Sequence, residues 1–291
     1  MCVVSTADTV PVGPTLSMFD PVYLGIDEAG APVYLPMTYH NLLIGGVPGS
    51  GKSVTLSLIV AHAALSSDAR LCLIDGKQVE LGLWKNVADV FVGPDIDLAI
   101  NTLRRVQAVM DNRYAYLMGN QRRKIERGDG MNAILLAIDE IAYFSATVGD
   151  KTQRETFSAL LRDIVARGRA VAVIVVGATQ RPTADIIPTS LRDIFSWRIA
   201  GRCTTDTSSD VILGFGWAAR GYSAATIHPQ DHGVAWLIAE DGHPRRIKTA
   251  YLDDPDIARL AAYAADIRRP GHLQADTGPA APATPDGEQA A

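Results

Sequence analysis

Gly46, Gly51, Lys52 and Ser53 stand in the order Gly-x-x-x-x-Gly-Lys-Ser, directly after the apolar run NLLIG (41–45). Glycines at these positions let successive backbone N–H groups turn toward a phosphate. The helix expected to open here adds its positive end. Lys52 can bridge the β- and γ-phosphates, and the Ser53 hydroxyl can ligate Mg²⁺. The candidate nucleotide-binding set is Gly46, Val47, Pro48, Gly49, Ser50, Gly51, Lys52, Ser53 and Val54. The plainer alternative is an ordinary glycine-rich turn, but strand before and helix after are the context a phosphate loop requires.

Two further runs end in chemistry-bearing residues. ILLAIDE (134–140) is an apolar strand that emits two carboxylates, Asp139 and Glu140. In a parallel sheet both would arrive at the crevice where ligands bind. Asp139 suits the Mg²⁺ shell, and Glu140 can orient and deprotonate an attacking water. Either carboxylate could instead cap the following helix. VIVVGATQRP (173–182) ends in Thr179 and Gln180, which brings an amide beside the carboxylates to sense the γ-phosphate or relay hydrolysis.

These strand ends need a scaffold. From Asn41 onward, short apolar runs at 42–46, 70–75, 89–93, 133–139 and 171–180 alternate with helical spacing at 52–66, 96–118 and 153–168. That alternation predicts an α/β fold: a mainly parallel central sheet flanked by helices. Residues 21–37 read as two short strands around Asp-Glu-Ala-Gly. Runs at 196–203, 233–240 and 245–252 extend the sheet, and a last helix covers about 254–267. Residues 1–17 and the Pro/Ala-rich tail 270–291 read as disordered ends, which leaves 18–269 as one folded domain.

Composition narrows the classes. The 291 residues carry a net charge of −5, which speaks against a uniformly basic coat while permitting a local basic strip. Cys2, Cys72 and Cys203 lack metal or disulfide spacing, and the latter two read as buried small apolar residues in a cytoplasmic chain. No run approaches the ~18 apolar residues of a membrane span, and the start lacks signal-peptide pattern. Any membrane association would run through a partner.

Beyond the phosphate loop, the chain resembles the FtsK/SpoIIIE family of DNA-translocating ATPases over roughly residues 20–265. GGVPGSGKSV resembles its first motif, and LCLIDGKQVEL its Ile-Asp-Pro-Lys strand end with Gly76 in place of proline. MDNRYAYL (110–117) is similar to its Glu-Arg-Arg-Tyr helix, and AIDEIAYF to its acidic motif. ARGRAVAVIVVGATQRPTADIIPTSLRDIFSWRIAGR follows its Arg-Ala…Ala-Thr-Gln-Arg-Pro…Arg-Ile-Ala stretch. Within the family, the likeness runs to transfer proteins of actinobacterial conjugative plasmids.

The resemblance implies a RecA-like P-loop NTPase that uses ATP and Mg²⁺, assembles as a homo-oligomeric, hexameric ring and threads double-stranded DNA. It also implies an arginine supplied in trans. Arg169 falls on that position, with Arg162 and Arg167 as neighbours in contention and a solvated arginine as the plain alternative for each. In TTDTSSDVI (204–212) Asp206 replaces a family lysine, a role Arg202 could fill. Neither the membrane region nor the winged-helix module of larger members is recognisable in these residues.

For DNA contact, the most basic stretch is NQRRKIERGDG (120–130), preceded by Arg104, Arg105 and Arg113. Its plainer reading, and the one preferred over DNA contact, is a solvated helix end partnered by its own Glu126 and Asp129. Loops 76–85 and 181–190 are further candidates. Three functions share these residues: a DNA motor for plasmid transfer, a protein-export ATPase, and a nucleotide-binding assembly switch.

Overall fold

The computed structural model describes residues 16–239 and 241–268. Both expected disordered ends lie outside the described residues, except that Leu16 and Ser17 already belong to the folded body. Leu16 bridges Ser66, and the Ser17 hydroxyl donates to Asp68.

The chain opens with a hairpin, β1 (Val22–Asp27) and β2 (Pro32–Leu35). Then β3 (Leu42–Gly45) leads into α1 (Lys52–Ala64). β4 (Ala69–Ile74) and β5 (Val90–Val92) precede α2 (Ile96–Gly119), and β6 (Ala133–Ile138) precedes α3 (Lys151–Arg167). β7 (Val173–Thr179), a short α4 (Thr189–Arg192), β8 (Trp197–Gly201) and α5 (Asp206–Leu213) follow. A second hairpin, β9 (Val234–Ile238) and β10 (Pro244–Thr249), leads to α6 (Asp254–Ile267).

All ten strands form one sheet in the order β2–β1–β10–β9–β8–β3–β7–β6–β4–β5. The strands from β8 to β5 run parallel. The other four add antiparallel on the β8 side. β7, VIVVGAT, is buried at every residue, as a strand covered on both faces must be. α1 packs with α6, and α2 packs with α3, so helices flank the sheet in two layers. The fold is therefore the expected α/β architecture.

Two residues lock the parallel half. Asn41, fully buried, donates its amide to Val165 O at 2.7 Å and accepts from Val175 N at 2.7 Å, which ties α3 and β7 to the start of β3. Gly76, just past β4, lies against Tyr143: a Cβ there would sit 2.3 Å from the ring. That contact leaves no room for a Cβ at this position. Gly76→Ala is expected to cost about 1–3 kcal/mol through overpacking. Thermal unfolding would read it as a lowered Tm that is partly restored in a Tyr143→Ala background.

Candidate nucleotide site

β3, β7, β6 and β4 lie side by side in parallel, so their C-terminal ends share one edge of the sheet. The phosphate loop leaves β3 there. Gly46 N–H donates to Thr179 O, Val47 N–H to Arg202 O and Ser50 N–H to Val47 O, which fixes the loop between β7 and β8. Gly51 caps α1 with φ +92°, and a Cβ on it would approach Gly233 to 3.0 Å, so only glycine fits. The first-turn N–H groups of Lys52, Ser53 and Val54 have no preceding helical carbonyl to bond and point toward an incoming anion.

Lys52 and Asp139, separated by 87 positions, form a buried ion pair. Lys52 Nζ also donates to the Asp139 carbonyl at 3.2 Å. Burial pushes the Asp139 carboxyl above its ordinary range, and the Lys52 ammonium opposes that shift. The second carboxylate oxygen, Asp139 Oδ2, is buried with no hydrogen-bond partner, as is Ser50 Oγ. An orphaned carboxylate oxygen at the edge that carries Ser53 fits a hard cation such as Mg²⁺.

Glu140 is clamped differently. Thr179 Oγ1 donates to its Oε1 at 2.7 Å, and Gln180 N–H donates to its Oε2 at 2.8 Å. Neither carboxylate caps the helix that follows, since both are engaged across the sheet edge. Gln180 accepts from Lys77 Nζ at 3.3 Å. Lys77 is presented by a loop that Asp75 braces by accepting from the N–H groups of Lys77, Gln78 and Leu81, each at 2.9 Å.

A cleft of about 620 Å³ opens over this edge. Val47, Pro48, Gly49, Gly51, Lys52, Ser53 and Val54 line it with Gln180, whereas Gly46 and Ser50 do not. Its far wall was not apparent in the sequence: His232, Gly233 and the segment from Lys248 to Tyr251 come from the β9–β10 hairpin. No motif marks them. Only the antiparallel strands bring them to the phosphate loop.

The arginines separate by position. Arg169 is exposed in the turn before β7, at the opposite end of that strand from Thr179, roughly 20 Å from its own cleft by strand rise. Arg167 is held by Asp163 at 2.7 Å and Asp111 at 3.0 Å, hydrogen bonds that keep its guanidinium well above its ordinary pKa. Arg162 is exposed beside Lys151 and Arg154. Arg202 reaches the phosphate loop, donating to Pro48 O at 3.4 Å. Asp206 accepts from Ser223.

Among the DNA-contact candidates, Arg113 is a correction. It is buried and donates to Val171 O at 2.7 Å and Asn132 O at 2.6 Å. The 120–130 stretch pairs with itself, Arg122 with Glu126 and Asp129 and Lys124 with Glu126, while Arg127 pairs with Asp20. Cys72 and Cys203 are buried, and burial pushes both thiols up to about 12.

The sequence profile of the FtsK/SpoIIIE family matches residues 9–212. The chain belongs to the FtsK/SpoIIIE family. A DNA translocase FtsK of Staphylococcus aureus is 26% identical over 274 residues, covering 87% of this chain and 33% of that protein. Its counterpart in Treponema pallidum is 29% identical over 271 residues, covering 87% and 32%. The chain thus spans about a third of the length of these relatives. Among solved structures, the pCW3 conjugation coupling protein TcpA, in monomer form with ATPgS, superposes with a TM-score of 0.74 at 20% identity. That match covers 86% of this chain and 71% of TcpA. The cytoplasmic domain of the Thermomonospora curvata Type VII secretion ATPase EccC gives 0.67 at 21%, covering 87% and 32%. No helix among the described residues is long and apolar enough to cross a membrane.

Proposed function

We propose that this FtsK/SpoIIIE chain is an ATP-hydrolysing motor that moves double-stranded DNA, in the setting of conjugative plasmid transfer. The observation that carries the catalytic part is the clamp on Glu140 beside the buried Lys52–Asp139 pair. An arriving triphosphate competes for Lys52 and draws it off Asp139. Ser53 and the freed Asp139 would hold Mg²⁺, which supplies positive charge to the phosphate oxygens. Glu140 orients the attacking water and takes its proton. Gln180, whose side chain is hydrogen-bonded to Lys77 and whose own backbone N–H holds Glu140, is placed to pass the state of the γ-phosphate to the 76–81 loop.

The partner that completes the site is a second copy. Arg169 is too far from its own cleft to act there, so it serves a neighbour's γ-phosphate in a hexameric ring. Arg169→Ala and Glu140→Gln variants should each be inactive alone. Mixed, they should recover part of the turnover, because some interfaces then join an intact Glu140 to an intact Arg169; no recovery would remove Arg169 from this role. The ring works in the cytoplasm, peripheral to a membrane protein that recruits it.

A second reading, protein secretion, is favoured by the structural likeness to EccC. Displacement of a triplex-forming strand from linear duplex DNA separates the two. The motor reading requires displacement driven by ATP and blocked by a non-hydrolysable analogue. ATP turnover with no displacement would sink it.

A further inference from the structure

After α5 the chain runs through GFGWAARGY (214–222), a loop that its own side chains brace. Asp210 accepts from Gly216 N–H at 2.8 Å and Ala218 N–H at 2.9 Å. Trp217 meets Tyr222 and His243 edge-on, with ring centroids 5.5 and 5.6 Å apart. Tyr222 meets Trp236 of β9 in the same manner at 5.4 Å, and the Arg220 guanidinium lies over Trp217 at 5.0 Å. On this base Phe215 is 93% exposed. A fixed loop that holds a phenylalanine in water forgoes the stabilisation its burial would give.

Arg198, on β8, brings an unanswered charge to the same place. A Cβ on Gly214 would lie 3.3 Å from its Nη1, so the guanidinium rests against the loop beside Phe215. Arg198 Nε is buried without a hydrogen-bond partner. Burial, then the nearby Arg192, disfavour its charge, and only Asp193 supports it. Asp193 is itself paired with Arg192 at 2.7 Å, and the loop's own carboxylate, Asp210, holds the loop amides. What this surface lacks is an anion.

We propose that Arg198 and the 214–220 loop form a contact site for the backbone of duplex DNA. Arg198 takes a phosphate, Phe215 packs against the sugar or groove edge next to it, and Arg220 lies at the rim. The proposal rests on the reading of the chain as a DNA motor. Duplex DNA is favoured as occupant because it offers repeating phosphates beside apolar sugar edges, matching arginines that flank one exposed aromatic. In the basic 120–130 stretch, by contrast, Arg122, Lys124 and Arg127 already have acidic partners within the chain.

The test is fluorescence anisotropy of a labelled linear duplex with the full chain, between about 50 and 200 mM salt. Phe215→Ala should weaken binding roughly tenfold with the salt slope unchanged, since an apolar contact releases no counterion. Arg198→Gln should reduce the slope by about 0.9, and Arg198→Lys should keep it. Phe215 is exposed, so its variant should unfold at the wild-type temperature and keep the turnover measured without DNA. Wild-type affinity and slope in both Phe215→Ala and Arg198→Gln would overturn the proposal. A Phe215→Ala variant that changes oligomeric mass with DNA affinity intact would also overturn it, assigning the loop to a subunit contact. A wild-type chain with no duplex affinity at low salt would overturn the motor reading, and the proposal with it.

Discussion

Glu140→Gln lowers steady-state ATP turnover at least about 100-fold while nucleotide affinity holds. The substitution separates chemistry from structure because of how Glu140 is held. The Gln carbonyl oxygen can still accept from Gln180 N–H, and its amide can donate to a rotated Thr179 hydroxyl, so both contacts survive. What is lost is the ability to take a proton from water. Turnover of the purified variant, with affinity measured by a fluorescent ATP analogue, checks this. Turnover within a few fold of wild type would show that the proton leaves by another route. Lost affinity would show that Glu140 organises the phosphate loop instead.

Lys52→Ala has the second large effect, on two readouts. ATP binding falls by two or more orders of magnitude, since the principal cation facing the phosphates is gone. Stability also changes, because removal of Lys52 strands a fully buried Asp139. Breaking a buried pair from one side costs about 3–5 kcal/mol, less whatever protonation of the survivor relieves. The pH dependence has a definite sign. Burial already holds the Asp139 carboxyl above its ordinary value and Lys52 opposes this, so the variant raises it further. A folded state that keeps a proton the unfolded chain releases is most stable on the acid side. Its stability falls as pH rises from about 4 through the raised folded value. Urea unfolding without nucleotide or Mg²⁺ should show this fall in Lys52→Ala and lose it in Lys52→Ala/Asp139→Asn. Equal pH slopes in the two variants would place the linkage elsewhere.

Local patterns made much of this legible. A phosphate loop is contiguous, and buried parallel strands such as ILLAI and VIVVGAT declare themselves by unbroken apolar runs, so Lys52, Asp139, Glu140 and Gln180 could be brought to one edge from spacing alone. The far wall of the cleft could not. Lys248 and Tyr251 reach it only because β10 inserts between β1 and β9, a pairing that joins the two ends of the chain. Nor does a count of basic residues reveal burial. Arg113 looked like part of a basic strip, yet two backbone carbonyls, Val171 O and Asn132 O, satisfy it inside the fold. The Asp139 pairing with Lys52 was hidden for another reason: the two lie 87 positions apart, and no local pattern relates the end of β6 to the first residue of α1.

In the proposed motor, hydrolysis at this site is coupled to duplex DNA. Steady-state ATP turnover of the purified chain, with and without linear double-stranded DNA, tests it most directly. Strong stimulation by DNA, abolished in Glu140→Gln, is the expected result. Clear turnover indifferent to DNA would contradict it and move the chain toward the secretion reading.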